Sequence, residues 1–249
     1  MKNEKKLRCL NCNANLVGKF CNNCGQKTDT KRLDFNHFIK HDIIHGTFHF
    51  DKGLPFTIKQ IIIRPGKVAT EYIEGKRIKY YNFFYLTLIL IGLILTIKGF
   101  YKQNYALEPK TFQSEYENGI KIAQSNLKAI FLLFIPLLVL CSKIVYRKQK
   151  LNISEHSIIA VINVIYFLIF ALISNAIYLI SKYLSFNINE NLSSFFVYLG
   201  IISFIRVYYL CFKQDFLSKY RALLSAIFTA FLFLTFLILA IMVLIFVSK

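Results

Sequence analysis

The chain is 249 residues long and 55% hydrophobic, has 25 Phe and no Trp, and sets 31 Lys and Arg against 13 Asp and Glu for a formal charge of +18. Soluble domains average about 45–50% apolar residues, and dispersed ones. Here most apolar residues follow residue 80, whereas the first 80 hold 16 of the 31 cations and seven acids. This excludes an ordinary water-soluble globular enzyme and divides the chain into a basic, water-facing third and a membrane-embedded remainder.

The charged residues 1–6 lead into cysteines rather than an apolar run. No secretory signal is read there, and the first hydrophobic span is expected to act as an uncleaved anchor. Residues 1–28 then carry two C-x-x-C knuckles, Cys9 with Cys12 and Cys21 with Cys24, eight residues apart. Zinc takes four soft ligands in a tetrahedron, and each knuckle offers two thiolates. Gly25 supplies, and Asn13 tolerates, the left-handed backbone that a knuckle needs. The intervening residues 16–20 are long enough for a tight hairpin. Disulfides, iron or a redox pair are the alternatives, but a basic, uncleaved N-terminus argues for a reducing cytosol. The expectation is one structural zinc per chain on Cys9, Cys12, Cys21 and Cys24. Such a closed site has no open position for catalysis and serves to present a surface, here to a cytosolic protein partner. Nucleic acid is a minor reading: Lys2, Lys5, Lys6 and Arg8 flank the module, but no aromatic stacking platform accompanies them.

Residues 33–80 read as a His-rich, basic, interfacial helical segment. His37, His41, His45 and His49 recur every fourth residue, which sets them along one helical ridge. His41-Asp42-Ile43-Ile44-His45 is similar to the H-E-x-x-H zinc hydrolase motif, with Asp a methylene shorter than the catalytic Glu and Gly46 interrupting the helix. His41, His45 and His49 are thus the candidates for acid–base chemistry or a second metal, set against a solvated histidine face at the membrane surface. Residues 51–55 predict a turn, residues 56–63 a short amphipathic helix stopped by Pro65, and residues 67–74 a second closed by Gly75 at its C′ position. Both are too short to span a bilayer and read as helices in the headgroup layer. Arg64, Lys67, Tyr72, Lys76 and Arg77 are the candidate ligand-binding set for an anionic headgroup, against the ordinary positive flank of a membrane span.

The succession C-x-x-C…C-x-x-C-G-Q-K (Cys9 to Lys27), H-x-D-K-G (His49 to Gly53), R-P-G (Arg64 to Gly66) and E-Y-I-E-G-K-R-x-x-Y (Glu71 to Tyr80) resembles an uncharacterised family of bacterial integral membrane proteins. That family is a domain of unknown function with an N-terminal zinc ribbon. The resemblance covers about the first third of the chain and implies no activity. Where the family has Pro shortly after the last Tyr, this chain has Asn82, Phe83 and Phe84.

Residues 81–249 hold five apolar spans, at about 81–100, 127–146, 157–181, 194–212 and 222–247. Each has the ~20 residues that ~30 Å of hydrocarbon demands. The loops at 147–156 and 213–221 each carry three cations and one acid, whereas those at 101–126 and 182–193 are balanced. The positive-inside rule then puts the N-terminus and the two basic loops in the cytosol and the C-terminus outside. Arg206 lies near the cytosolic end of the fourth span, close enough to snorkel, and joins the candidate ligand set. Asn163 and Asn175 are expected to hydrogen-bond across helices. No buried carboxylate marks a transport path.

The fold expected is an all-α polytopic membrane protein of about five transmembrane helices with a small zinc ribbon and interfacial amphipathic helices, in a bacterial cytoplasmic membrane. The functional expectation is a membrane-anchored binding or regulatory protein using the ribbon and an anionic-lipid-facing segment. The alternatives are an interface enzyme acting on a lipid phosphate or peptide, and a transport component.

Overall fold

The computed structural model describes residues 8–28, 30, 53–105, 127–184, 190–212 and 219–247. Among them are seven α-helices and no strand: α1 (Gly53–Ile63), α2 (Pro65–Ile73), α3 (Phe83–Tyr105), α4 (Leu127–Val145), α5 (Ile153–Tyr183), α6 (Glu190–Phe212) and α7 (Lys219–Val247). Three of them, α3, α5 and α7, are long and apolar enough by length and composition to cross a membrane.

Helices α4 to α7 close a ring in which α4 meets α5, α5 meets α6, α6 meets α7 and α7 returns to α4; α3 lies along α5 outside the ring. Each ring helix sends a Phe to the centre. Phe134, Phe167, Phe204 and Phe233 meet edge-on or stacked, with the Phe134 and Phe233 centroids 4.7 Å apart. Such aromatic pairs add specific geometry to simple area burial. At one end of the ring Tyr146 stacks on Phe212 at 3.8 Å. Ser142 of α4 meets the Nδ1 of His156 of α5 at 2.7 Å, both fully buried.

Helix α5 begins at Ile153, four residues before the start expected from hydropathy. The reason is a reciprocal capping box: Glu155 N–H donates to Asn152 Oδ1, and Asn152 N–H donates to Glu155 Oε2, both at 2.9 Å. His156, expected in a cytosolic loop, is therefore a core residue. Asn175 does not reach a neighbouring helix; its Nδ2 donates to the Ala171 carbonyl of its own helix. Asn163 is fully buried, and among the described residues its amide has no hydrogen-bond partner.

The R-P-G stretch has a packing reason. Helix α1 ends at Ile63, and Pro65 opens α2 at a position whose N–H has no helical partner anyway. Gly66 then lets α2 touch the backbone of α6: a Cβ there would lie 2.4 Å from the Leu210 carbonyl carbon and oxygen. The turn expected at 51–55 is instead helical from Gly53, with Pro55 tolerated in the first helical turn.

Gly66→Ala should therefore cost about 1–3 kcal/mol through overpacking and lower the thermal midpoint of the detergent-solubilised protein. Gly92→Ala, inside α3 where an added Cβ meets nothing within 4 Å, should hold the midpoint or raise it slightly, because Ala is the better helix former.

Candidate functional site

The cysteine module, residues 8–28, has no apolar core. Its buried residues are Cys9, Cys21 and Gln26, while Val17 and Phe20 are exposed. The chain makes the same turn twice. Asn13 N–H donates to the Cys9 carbonyl and Gly25 N–H to the Cys21 carbonyl, both at 2.8 Å, with Asn13 and Gly25 at φ 62° and 74°. Arg8 bridges to Asn15 and Phe20 to Lys27, so each knuckle is its own small loop. In place of the hairpin expected between the knuckles, Lys19 and Phe20 pair with Thr28 and Lys27 across the second loop.

The four Sγ atoms lie within 4.8 Å of one another, with Cys9–Cys24 at 3.6 Å and Cys12–Cys21 at 3.5 Å. A tetrahedral zinc with ~2.3 Å bonds holds its sulfurs about 3.8 Å apart. The thiols thus form a site that can hold a metal ion such as zinc. Hydrogen bonding from the Ala14 backbone lowers the Cys12 thiol to about 6, while burial pushes Cys24 up to about 11. The lowering at Cys12 favours the thiolate, the form that binds metal.

The module sits on its own chain. Gln26 Nε2 donates to the Gly75 carbonyl at 2.8 Å, and its Oε1 accepts from the N–H groups of Arg77 and Ile78 at 3.2 and 3.4 Å. Gly75 has φ 103°, and a Cβ there would lie 2.7 Å from Leu10 Cδ1. Both knuckles consequently grip one turn, through Leu10 and Gln26.

That turn leads into a charged cluster around Glu71. The Glu71 side chain is 10% exposed, takes a 2.7 Å hydrogen bond from Lys79 Nζ and a short one from the Tyr80 hydroxyl, and has Lys67 and Lys76 Nζ at 3.9 Å. Burial raises the carboxyl, but the bonds from Lys79 and Tyr80 and the charges of Lys79 and Lys76 outweigh it and hold the group below its ordinary range. Burial, followed by the Glu71 contact, pushes the Tyr80 hydroxyl well up. Just beyond, Thr57 Oγ1 accepts from Tyr81 N–H at 2.8 Å, and Asn82 Oδ1 accepts from Phe84 N–H at 2.9 Å. Asn82 thus caps α3.

The structure brings Lys67 and Lys76 together at this cluster, with Arg77 beside it on the turn. Tyr72 is buried, with its ring 4.5 Å from Phe83 and Arg77 over it at 6.0 Å. Arg64 bonds Gln60 one turn back. Arg206 stands apart from them: its guanidinium donates to the Ile62 and Ile63 carbonyls at 3.0 and 3.3 Å and to the Tyr166 hydroxyl, closing the C-terminus of α1. His37, His41, His45 and His49 lie outside the described residues. Two residues outside the candidate set belong to the site, Glu71 and Gln26, which the sequence offered only as members of the C-G-Q-K and E-Y-I-E-G-K-R motifs. The role of Glu71 had a local signal, an acid at i, i+4 from Lys67 and eight before Lys79; that of Gln26 had none, because its partners are 49 to 52 residues away.

A family model described as "Protein of unknown function (DUF3667)" matches residues 51–93. That match spans α1, α2, the gripped turn, the Glu71 cluster and the first half of α3. No curated protein and no solved structure matches the chain.

Two outcomes follow from this geometry. Purified protein should carry one zinc per chain by elemental analysis, lost in Cys21→Ser/Cys24→Ser; a second equivalent, lost in His41→Ala, would bring the histidine ridge into play. For Glu71 the folded pKa lies below the unfolded carboxylate value of about 4.3, so its stabilisation is full above that value and disappears as pH falls through the folded one. Glu71→Gln should therefore be less stable than wild type at pH 7, and the gap should close below about pH 4 in thermal melts.

Proposed function

We propose that the chain is a multi-pass protein of a bacterial cytoplasmic membrane that binds anionic headgroups at its cytosolic face, with a zinc-pinned module setting the geometry of the binding segment. The observation that carries this reading is the grip of Gln26 and Leu10 on the turn at 75–78, which joins the cysteine module to the cluster of Lys67, Lys76, Lys79 and Arg77. In this reading α3 to α7 are five spans, the N-terminus and the basic loops face the cytosol, and the module's exposed Val17 and Phe20 are left for a protein partner.

Charge arithmetic supports an anion. Residues 64–79 hold five cations, Arg64, Lys67, Lys76, Arg77 and Lys79, against two acids, Glu71 and Glu74, to which Lys79 and Lys76 are bonded at 2.7 and 3.2 Å. Near a surface rich in anionic lipid each basic residue is worth about 1 kcal/mol. The position fits as well, since α1 and α2 lie against α5 and α6 at the end of the bundle where the basic loop residues Arg147 and Lys148 emerge. Helices of eleven and nine residues cannot span hydrocarbon, but they can rest in a headgroup layer.

In neutral detergent, added phosphatidylglycerol should raise the thermal midpoint by roughly 3 °C or more, with phosphatidylcholine giving no comparable shift. Lys67→Gln/Lys76→Gln/Arg77→Gln should lose that response while keeping the zinc. An equal response to both lipids, or an unaltered triple variant, would overturn the reading.

A further inference from the structure

The metal site and the cationic cluster are joined by an unusually short path. The main-chain carbonyl of Gln26 accepts from Cys21 N–H at 2.8 Å, which fixes the residue inside the second knuckle, two positions after Cys24. Its side chain is 4% exposed and spends its amide on residues 75, 77 and 78. Leu10, between the ligands Cys9 and Cys12, fills the space that a side chain at 75 would occupy. One contact comes from each knuckle, and only a shared metal can hold the two knuckles in register, since the module has no apolar core to do so.

The far side of the grip is equally direct. Lys76 N–H is bonded to the Glu71 carbonyl at 2.9 Å, and three and four residues on, Lys79 and Tyr80 reach the Glu71 carboxylate. The turn therefore carries Lys76 and Arg77 on a short loop fixed at one end by Glu71 and over its top by Gln26. Among the described residues, the amide of Ile78 has Gln26 as its hydrogen-bond acceptor. Loss of the grip would remove the hold over the top of this loop and loosen residues 77 and 78, while Glu71 still ties its ends.

We propose that occupancy of the four-cysteine site controls the order of the turn at 75–78, with Gln26 and Leu10 as the transmitting contacts, so that the chain presents Lys76 and Arg77 to an anion only when metal is bound. This rests on the anion-binding reading above and adds its regulation: the protein reports metal availability at the membrane surface. No titration or redox step is involved. Thiolates either hold the ion and the knuckles together, or lose it and let them part.

The test is hydrogen–deuterium exchange on the full chain in detergent micelles, followed by mass spectrometry of peptides spanning 75–80, with zinc loading measured in parallel. Removing zinc with a chelator should speed exchange at Ile78 about tenfold, the scale of one lost hydrogen bond, and less at Arg77, whose N–H also donates to the Gly75 carbonyl at 3.0 Å. Gln26→Ala should do the same while retaining one zinc per chain. A peptide from the buried stretch 158–165 of α5 should not change in either case. Unchanged exchange after complete metal removal would overturn the proposal, as would a zinc-loaded Gln26→Ala protein whose turn stays protected. The phosphatidylglycerol response is read separately: if exchange behaves as stated but no lipid response exists in any form, the coupling stands and the headgroup reading falls.

Discussion

One buried carboxylate makes the basic segment possible. Lys67, Lys76 and Lys79 could not converge in a chain already carrying +18 unless something of opposite sign stood between them. Glu71 does so from the buried face of α2, and the Tyr80 hydroxyl satisfies it further. A buried ion earns little net stability by itself, but removing its partner is costly. The role of Glu71 is accordingly one of geometry: it ties the end of α2 to residues 76–80 and gives the cysteine module a defined surface to sit on.

The packing around that tie is more constrained than surface helices usually are. Helix α2 is seated by a glycine against the backbone of α6, α1 is closed by a guanidinium from the same helix, and Thr57 and Asn82 fix the chain as it turns into α3. Every one of these contacts involves a polar group or a missing side chain rather than apolar area. Specificity of this kind suits a segment that must keep its cations at set positions beside a much greasier body.

What could be read from sequence was local. The four cysteines declare themselves because ligand spacing is a property of a few neighbouring residues, and the five helices because ~20-residue apolar runs have few alternatives. The start of α5 was also local, in the Asn152 and Glu155 pair, but hydropathy outweighed the cap and left His156 in a loop. Long-range order was not legible. All five runs are similarly apolar, so nothing in them singles out α5 as the helix that α3, α4 and α6 share. Gln26 is an unremarkable polar residue until its partners, some fifty positions on, fold beneath it. Arg206 read as a snorkelling cation because its acceptors lie more than 140 residues away.

That last contact bears on depth. Tyr166 and Arg206 meet the end of α1 about 20 Å along α5 from its N-terminus, at 1.5 Å per residue. Upstream of this level Ile158, Ile159, Ala160, Ile162, Val164 and Ile165 are enclosed by protein, at 5% exposure or less. Downstream, the rest of α5 rises about 26 Å, close to the thickness of a hydrocarbon layer. Arg206 therefore marks the level on α5 at which a stretch enclosed by protein gives way to one of about 26 Å, the scale of a hydrocarbon layer.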